Sequence, residues 1–166
     1  MGLTALFIGR FQPLHKGHLA IIKRIAKKHT LKIGIGSAQY KNTSDNPLSV
    51  VERREMIRRV LAAEKIENAE IFEITDVHDD KKWVAHVCAI VGSFDVVYSG
   101  NDWVIRLFRE HGLAVRVIKE IDPYEATKIR DAICLGKSVA RDVPRVVLSY
   151  LEEIGAIERM RKIGSK

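Results

Sequence analysis

Ten residues near the N-terminus, Gly9-Arg-Phe-Gln-Pro-Leu-His-Lys-Gly-His18, hold the densest chemistry in the chain. His15 and His18 are three apart, so at the start of a helix both rings can face one side. An imidazole can donate or accept a proton at neutral pH, or ligate a metal. Arg10 adds a permanent cation. The free amides and dipole of a helix start attract anions, and two imidazoles with a guanidinium beside them suit a polyphosphate. Gly9 lets the backbone approach such a ligand, Pro13 fixes a turn, and Gly17 removes a side chain where the ligand would crowd the helix. A bare His-x-x-His pair is more often a surface or core feature, or half of a metal site. No Cys or acidic partner with ligand spacing accompanies this one, so no protein metal-ligand set is expected.

The surrounding elements supply the context that raises this string above accident. Leu3 to Ile8 is a short apolar run of the kind found in buried strands, and the period turns helical from Gly17 to His29. Leu31 to Gly36 reads as a second strand, and Ser37 to Pro47 as a loop. Ser49 with Glu52 makes a capping box for a helix running to about Glu64. Further strands are expected at Ala69–Thr75, Phe94–Ser99 and Leu113–Lys119, with helices at about Trp83–Val91 and Asn101–His111. Asp142-Val-Pro144 places a cap and an early proline before a helix reaching about Glu153; Gly155 ends it, and a basic segment follows. Strand–helix alternation of this length predicts an α/β fold: a mostly parallel five-stranded sheet with helices on both faces and a helical C-terminus. Ligands of such sheets bind at the carboxyl ends of the strands, where the strand order switches, and the Gly9–His18 turn leaves the first strand there.

Composition narrows the class without choosing the ligand. With 166 residues, 46% hydrophobic and 30% charged, the chain reads as one globular domain over 1–166. No apolar run approaches the roughly 18 residues that span a bilayer, and no secretory pattern opens the chain. Cys88 and Cys134 lie in apolar helix-like patterns without metal spacing, so both read as buried thiols in a reducing cytoplasm. The 28 Lys and Arg against 21 Asp and Glu leave +7, compatible with nucleic acid, an anionic surface or a small polyphosphate. Lys23, Arg24, Lys27 and Lys28, and Arg53, Arg54, Arg58 and Arg59, fall on expected helix surfaces, where charge runs are usually solvated. Aromatics reach only 7% and do not interleave with the basic runs, so no nucleic-acid or membrane partner is expected.

The string Gly9-Arg-Phe-Gln-Pro-x-His-x-Gly-His18 resembles the signature of the nucleotidylyltransferase superfamily, and Tyr124-Glu-Ala-Thr-Lys-Ile-Arg130 resembles its second signature. Gly36-Ser-Ala-Gln39, Asn46-Pro47, Glu52-Arg53, Trp83-Val-x-His86, Tyr98-Ser-Gly-Asn101 and Arg106-Leu-Phe108 are similar, in order, to blocks of the archaeal-type nicotinamide-nucleotide adenylyltransferases, over roughly residues 3–160. The resemblance implies a Rossmann-like nucleotidylyltransferase fold. It also implies transfer of the adenylyl group of ATP to nicotinamide mononucleotide (NMN), forming NAD and pyrophosphate by direct in-line attack. Mg²⁺ would accompany ATP, and a homo-oligomer is expected on resemblance alone.

The same resemblance implies site roles. His15, His18 and Arg130 would act on the ATP phosphates. Gly9, Arg10, Phe11, Gln12, Ser99, Gly100, Asn101, Tyr124 and Thr127 would line the ATP site. Ser37, Ala38, Gln39, Asp80 and Trp83 would line the NMN site, with Trp83 stacking on the nicotinamide. Lys81-Lys82 and Asp79-Asp80 argue that Trp83 stands at an exposed helix end, whereas packing or an interface contact is expected of Trp103. Three positions depart from the family pattern. Glu125 replaces a Ser of the second signature, and Asp80 replaces an Asn that commonly recognises the carboxamide. Asp45 stands where a basic residue is expected near the NMN phosphate, with Lys41 or Arg53 as substitutes. Two alternatives stay open: adenylyl or cytidylyl transfer to another acceptor (FMN, phosphopantetheine or nicotinate mononucleotide), and a nucleic-acid-binding module.

Overall fold

The structure, a computed structural model, describes residues 2–119 and 123–164. Among these, β1 (Thr4–Gly9), β2 (Thr30–Ile35), β3 (Ala69–Glu73), β4 (Val96–Ser99) and β5 (Val115–Val117) form one sheet in the order β3-β2-β1-β4-β5. Every pairing is parallel. From β1 the chain winds outward one way through α1 (Lys16–Ala26) and α2 (Val50–Ala63), then returns to the other side of β1 through α3 (Asp80–Val91). The direction of winding therefore reverses between β1 and β4, and the connections leaving those two strands diverge. A crevice opens there at their carboxyl ends.

Two apolar clusters explain why the sheet is buried on both faces. One joins Ile22 and Ile25 of α1, Ile57 and Val60 of α2, and Leu151 and Met160 from the C-terminal helices. The other joins Val84 and Val87 of α3 to Leu107 and Phe108 of α4 (Asp102–Glu110). After β5 the chain adds α5 (Ala126–Cys134), α6 (Arg145–Glu153) and α7 (Ala156–Gly164). The basic segment after Gly155 is thus helical: Gly155 at φ +67° reverses the chain, and Ala156 and Met160 turn inward.

Several local expectations are corrected by capping and packing. α3 begins at Asp80 rather than near Trp83, because the Asp79 carboxylate accepts from the Lys81 amide at 3.0 Å. Asp142 caps nothing with its side chain. Pro144 is the N-cap of α6, and the Asp142 carbonyl accepts from the Lys16 amide at 2.9 Å, tying the start of α1 to the C-terminal region. Cys134 is exposed at the end of α5, while Cys88 is half-buried and burial pushes its thiol pKa up. Arg53 is fully buried instead of solvated. It shares the inward stripe of α2 with Met56, Ile57 and Val60, at the spacing of one helix face. Of its former companions on α2, Arg54 pairs with Glu73, Arg58 with Glu55, and Arg59 with Glu55 and Glu153.

Candidate active site

The crevice holds two adjoining cavities of about 470 and 630 Å³. Ile8, Arg10 and Asn101 line both, so the seam between them lies where β1 and β4 end.

The first cavity is built around the start of α1. His15 is the N-cap, and its Nδ1 accepts from the His18 amide at 3.2 Å, while His18 Nδ1 accepts from the His15 amide at 3.3 Å. The two rings stack with centroids 3.7 Å apart, and Phe11 packs 4.9 Å from His18. This reciprocal box has a chemical consequence. A ring that accepts at Nδ1 carries its proton on Nε2, so each imidazole has one N–H left to donate while remaining neutral. Burial holds His15 down at a pKa of about 4 and pushes His18 well below the ordinary histidine value, with the neighbouring His15 adding to the effect. Gly17 lines the first cavity and also makes room for this arrangement. A Cβ there would stand 3.0 Å from the His15 ring, so the missing side chain makes room for the imidazole. At Gly9, likewise, a Cβ would meet the Phe11 ring at 3.0 Å, and Gly9 itself lines the second cavity.

Arg130 closes the far side. It is only 5% exposed; one guanidinium nitrogen donates to the Gln12 carbonyl at 2.9 Å and another to the Thr127 hydroxyl at 3.3 Å. Burial, then the charge of Arg10, lowers its pKa. Asp45 reaches Arg130 at 3.6 Å, which is what that departure from a basic residue does here. Tyr124, Glu125 and Thr127 also line this cavity, at the start of α5. Glu125, in the N-cap position, makes no capping bond and pairs with Lys128 at 2.7 Å. Gln12 is spent on structure: its side-chain amide exchanges two 2.9 Å hydrogen bonds with the Leu48 backbone. Ser99 and Asn101 serve as caps, Ser99 accepting from the Asn101 amide and Asn101 from the Trp103 and Val104 amides. Gly100 passes so close to the Ile118 carbonyl that a Cβ would stand 3.0 Å from it. Lys119, at the carboxyl end beyond β5, lines the first cavity too and was missed by the motif reading; the switch-point rule applied to β5 would have found it.

In the second cavity the exposure expected of Trp83 is corrected. Trp83 is 4% exposed, its ring set against Trp103 with centroids 4.6 Å apart and edge-on to Phe108 at 5.6 Å. The Lys81-Lys82 and Asp79-Asp80 flanks are polar because they begin the helix; the ring itself is on the inward side. Trp103 is the exposed one, at 38%, and its Nε1 donates to Asp80 at 3.1 Å. Both rings line the cavity, with Ser37, Asp76, His78, Asp79 and Asp80. Ala38 is buried and Gln39 exposed, and neither lines it. Gln39 instead brackets the Asp76 backbone, donating to its carbonyl at 3.1 Å and accepting from its amide at 3.0 Å. Ser37 donates to the Asp76 carboxylate at 2.8 Å, so these contacts latch the loop after β2 to the loop after β3. Arg53 cannot reach a substrate phosphate. Its guanidinium donates to the carbonyls of Arg10, Gly36 and Ser37 at 2.8–3.0 Å, clasping the ends of β1 and β2, and burial beside Arg10 lowers its pKa to about 10. Lys41 is exposed and lines neither cavity. Arg10 is different again: among the described residues its guanidinium makes no hydrogen bond or ion pair, and it stands at the seam.

Comparison with known proteins gives the family and the fold. A family model described as Cytidylyltransferase-like matches residues 6–132. The nicotinamide-nucleotide adenylyltransferase of Thermoplasma acidophilum is 43% identical over 164 residues, covering 97% of this chain and 92% of its own. The chain belongs to the nicotinamide-nucleotide adenylyltransferase family. The Archaeoglobus fulgidus member is 38% identical over 172 residues, covering 99% of each chain. Among solved structures, a bifunctional NMN adenylyltransferase/ADP ribose pyrophosphatase from Francisella tularensis, complexed with AMP and a manganese ion, superposes with a TM-score of 0.81 at 21% identity. That likeness shows the Rossmann-like fold; it covers 99% of this chain and 53% of the other, so this chain spans about half of that protein. No helix among the described residues is long and apolar enough to cross a membrane.

Burial of the two neutral rings gives the fold a pH signature. Protonating either Nδ1 destroys its half of the capping box. Because the folded pKa values lie below the unfolded value of about 6.5, the unfolded chain binds more protons as pH falls below 6.5. The stability tied to keeping these buried rings neutral is therefore complete above that pH and is lost on the way down toward about pH 4 for His15. For His15 alone the loss by pH 5 is about 2 kcal/mol. Urea denaturation of the free protein at pH 7 and pH 5 is expected to show it. A His15→Asn, His18→Gln double variant should lose distinctly less; equal losses would rule out the two buried histidines as the source.

Proposed function

We propose that this enzyme joins the 5′-phosphate of NMN to the adenylyl group of ATP, forming NAD and releasing pyrophosphate. The observation that carries the reading is the pair of cavities meeting at Arg10. One is furnished with neutral imidazole donors and a buried guanidinium, the other with an exposed indole. ATP takes the first, with its phosphates along His15, His18, Thr127 and Arg130, and its adenosine toward Ser99, Gly100 and Asn101. NMN takes the second, its ring against the Trp83–Trp103 wall. Its phosphate then comes to the seam, where Arg10 is uncommitted.

The chemistry needs no protein nucleophile. An oxygen of the NMN phosphate attacks the α-phosphorus, a new P–O bond forms, and the bond to the β-phosphate bridge breaks in line as pyrophosphate leaves with the electron pair. Arg10 brings the two anions together and offsets their repulsion. His15 and His18 donate Nε2–H to phosphate oxygens as charge shifts toward the leaving group, and the low pKa values keep them neutral until an anion arrives. Arg130 holds the departing phosphates, its fork pre-set by Gln12 and Thr127.

Mg²⁺ fits as part of the substrate. Among the described residues no three His, Cys, Asp or Glu side chains are grouped to hold an ion, and Glu125 is the one carboxylate among those lining the first cavity. Mg²⁺ held by the substrate's phosphates would add its charge neutralisation to that of Arg10 and Arg130. Function in the cytoplasm, as a single catalytic domain assembled into a homo-oligomer, completes the reading. Incubation with Mg-ATP and NMN is expected to yield NAD and pyrophosphate in equal amounts. Faster product formation with FMN or phosphopantetheine in place of NMN would reject the assignment of the acceptor.

A further inference from the structure

Arg53 is 0% exposed, and among the described residues no carboxylate pairs with it. Its donors go to main-chain carbonyls: Ser49 of its own helix at 3.3 Å, Arg10 at 3.0 Å, Gly36 at 2.8 Å and Ser37 at 3.0 Å. An apolar side chain would complete the α2 stripe without the cost of desolvating a cation. The explanation for a guanidinium at this position therefore lies in what it holds.

The β1–β2 ladder ends with the Gly36 amide donating to the Gly9 carbonyl at 3.0 Å. One step further, a parallel ladder would have the Phe11 amide donate to the Gly36 carbonyl. Arg53 takes that carbonyl instead, and Phe11 turns to φ +53°. Ser37, which follows Gly36, lies at φ +49°. L side chains rarely adopt such angles. Both residues follow a carbonyl bound by the same guanidinium nitrogen, Nη1 of Arg53. In a trans peptide the N–H points opposite to the C=O, so the Phe11 and Ser37 amides face away from Arg53. Arg10 and Phe11 line the first cavity, Gly36 and Ser37 the second, and Arg53 neither, so that direction is toward the crevice. Among the described residues neither amide donates a hydrogen bond. The amide after the third clamped carbonyl differs: Ala38 donates to Ile74 at 3.0 Å and fixes the loop.

We infer that Arg53 is a positioning residue for the transfer reaction, turning one free peptide N–H into each cavity beside the seam where the two reacting phosphates meet. The inference rests on the proposed placement of ATP and NMN. Donors aimed in advance need no reorganisation when charge develops on the phosphate oxygens. A guanidinium bound to the carbonyl of each peptide also polarises that peptide, which strengthens its N–H as a donor. With no carboxylate in contact and little water to screen it, the buried cation adds its own field at the seam.

Kinetics and thermal melts are compared for the wild type, Arg53→Lys, Arg53→Ala and Val60→Ala, all with Mg-ATP and NMN. Arg53→Lys keeps a charge but replaces the planar fork by one ammonium, so kcat should fall about tenfold, and Arg53→Ala about a hundredfold. Val60 lies two turns along the same buried stripe; Val60→Ala should lower the melting temperature and leave kcat within about twofold. Guanidinium chloride at about 20 mM, far below denaturing concentrations, should restore several-fold activity to Arg53→Ala where equal NaCl does not. If Arg53→Ala does not fold, the Lys variant decides. A kcat within about threefold of wild type in Arg53→Lys would overturn the inference. So would a loss in Val60→Ala as large as in Arg53→Lys at the same drop in melting temperature, since the rate would then follow stability alone. No NAD from the wild type would reject the proposed function itself, whereas NAD formation indifferent to Arg53→Lys rejects only the role of Arg53.

Discussion

His18→Ala is expected to lower kcat by about a hundredfold to a thousandfold, the usual loss when one preorganised donor to a transition-state oxyanion is removed. The effect belongs in kcat more than in KM for ATP, because neutral Nε2–H donors gain most as charge moves toward the leaving pyrophosphate. The fold should survive. His18 is half-buried at the crevice, and its loss removes one acceptor of a two-bond cap, a cost of about 1 kcal/mol. Steady-state kinetics with a thermal melt on the same preparation checks both halves. A fall in kcat below fivefold, with the melt unchanged, would remove His18 from the chemistry.

Arg130 carries the second large effect. It is 5% exposed, and its guanidinium bridges the Gln12 carbonyl of the first turn and Thr127 of α5, so it joins the two signatures while lining the first cavity. Arg130→Lys keeps a charge but loses the planar fork; kcat/KM for ATP should drop about a hundredfold, and Arg130→Ala further. The Lys variant decides between charge and geometry, since near-wild-type rates there would show that a point charge suffices. The Asp45 contact does not lock this residue. Asp45 is 75% exposed, and a solvated pair at 3.6 Å contributes under about 1 kcal/mol. On the proposed placement of ATP incoming phosphates would displace it, and Asp45→Ala should change KM for ATP by no more than a few-fold.

Much of this architecture is local and therefore legible. The β1 run, the helical period after Gly17 and the Ser49–Glu52 box each arise from contacts within a few residues, and each lies close to its expected place. The parallel order follows from alternation, and the Gly9–His18 turn lies at the crevice because connections of such sheets have a fixed hand. The stripe Arg53, Met56, Ile57 and Val60 was also present in the pattern. A charged residue on an apolar stripe reads as surface until its partners are known, and those partners are carbonyls at the ends of other elements.

Taken alone, then, the amino-acid order determined the strand–helix alternation, the cluster of anion-binding residue types on the first turn, and the second signature carrying Arg130. Tertiary structure decided what each side chain is free to do. Gln12 and Gln39 are consumed by backbone groups, Trp83 is buried and Trp103 exposed though both line the cavity, and Asp80 is fixed by partners 23 and 26 residues away. The histidines' neutrality depends on burial as well as on their spacing. The physical reason is range. Periodicity and capping report on neighbours within a turn, whereas burial and the pairing of polar groups are settled between segments brought together only when the sheet assembles.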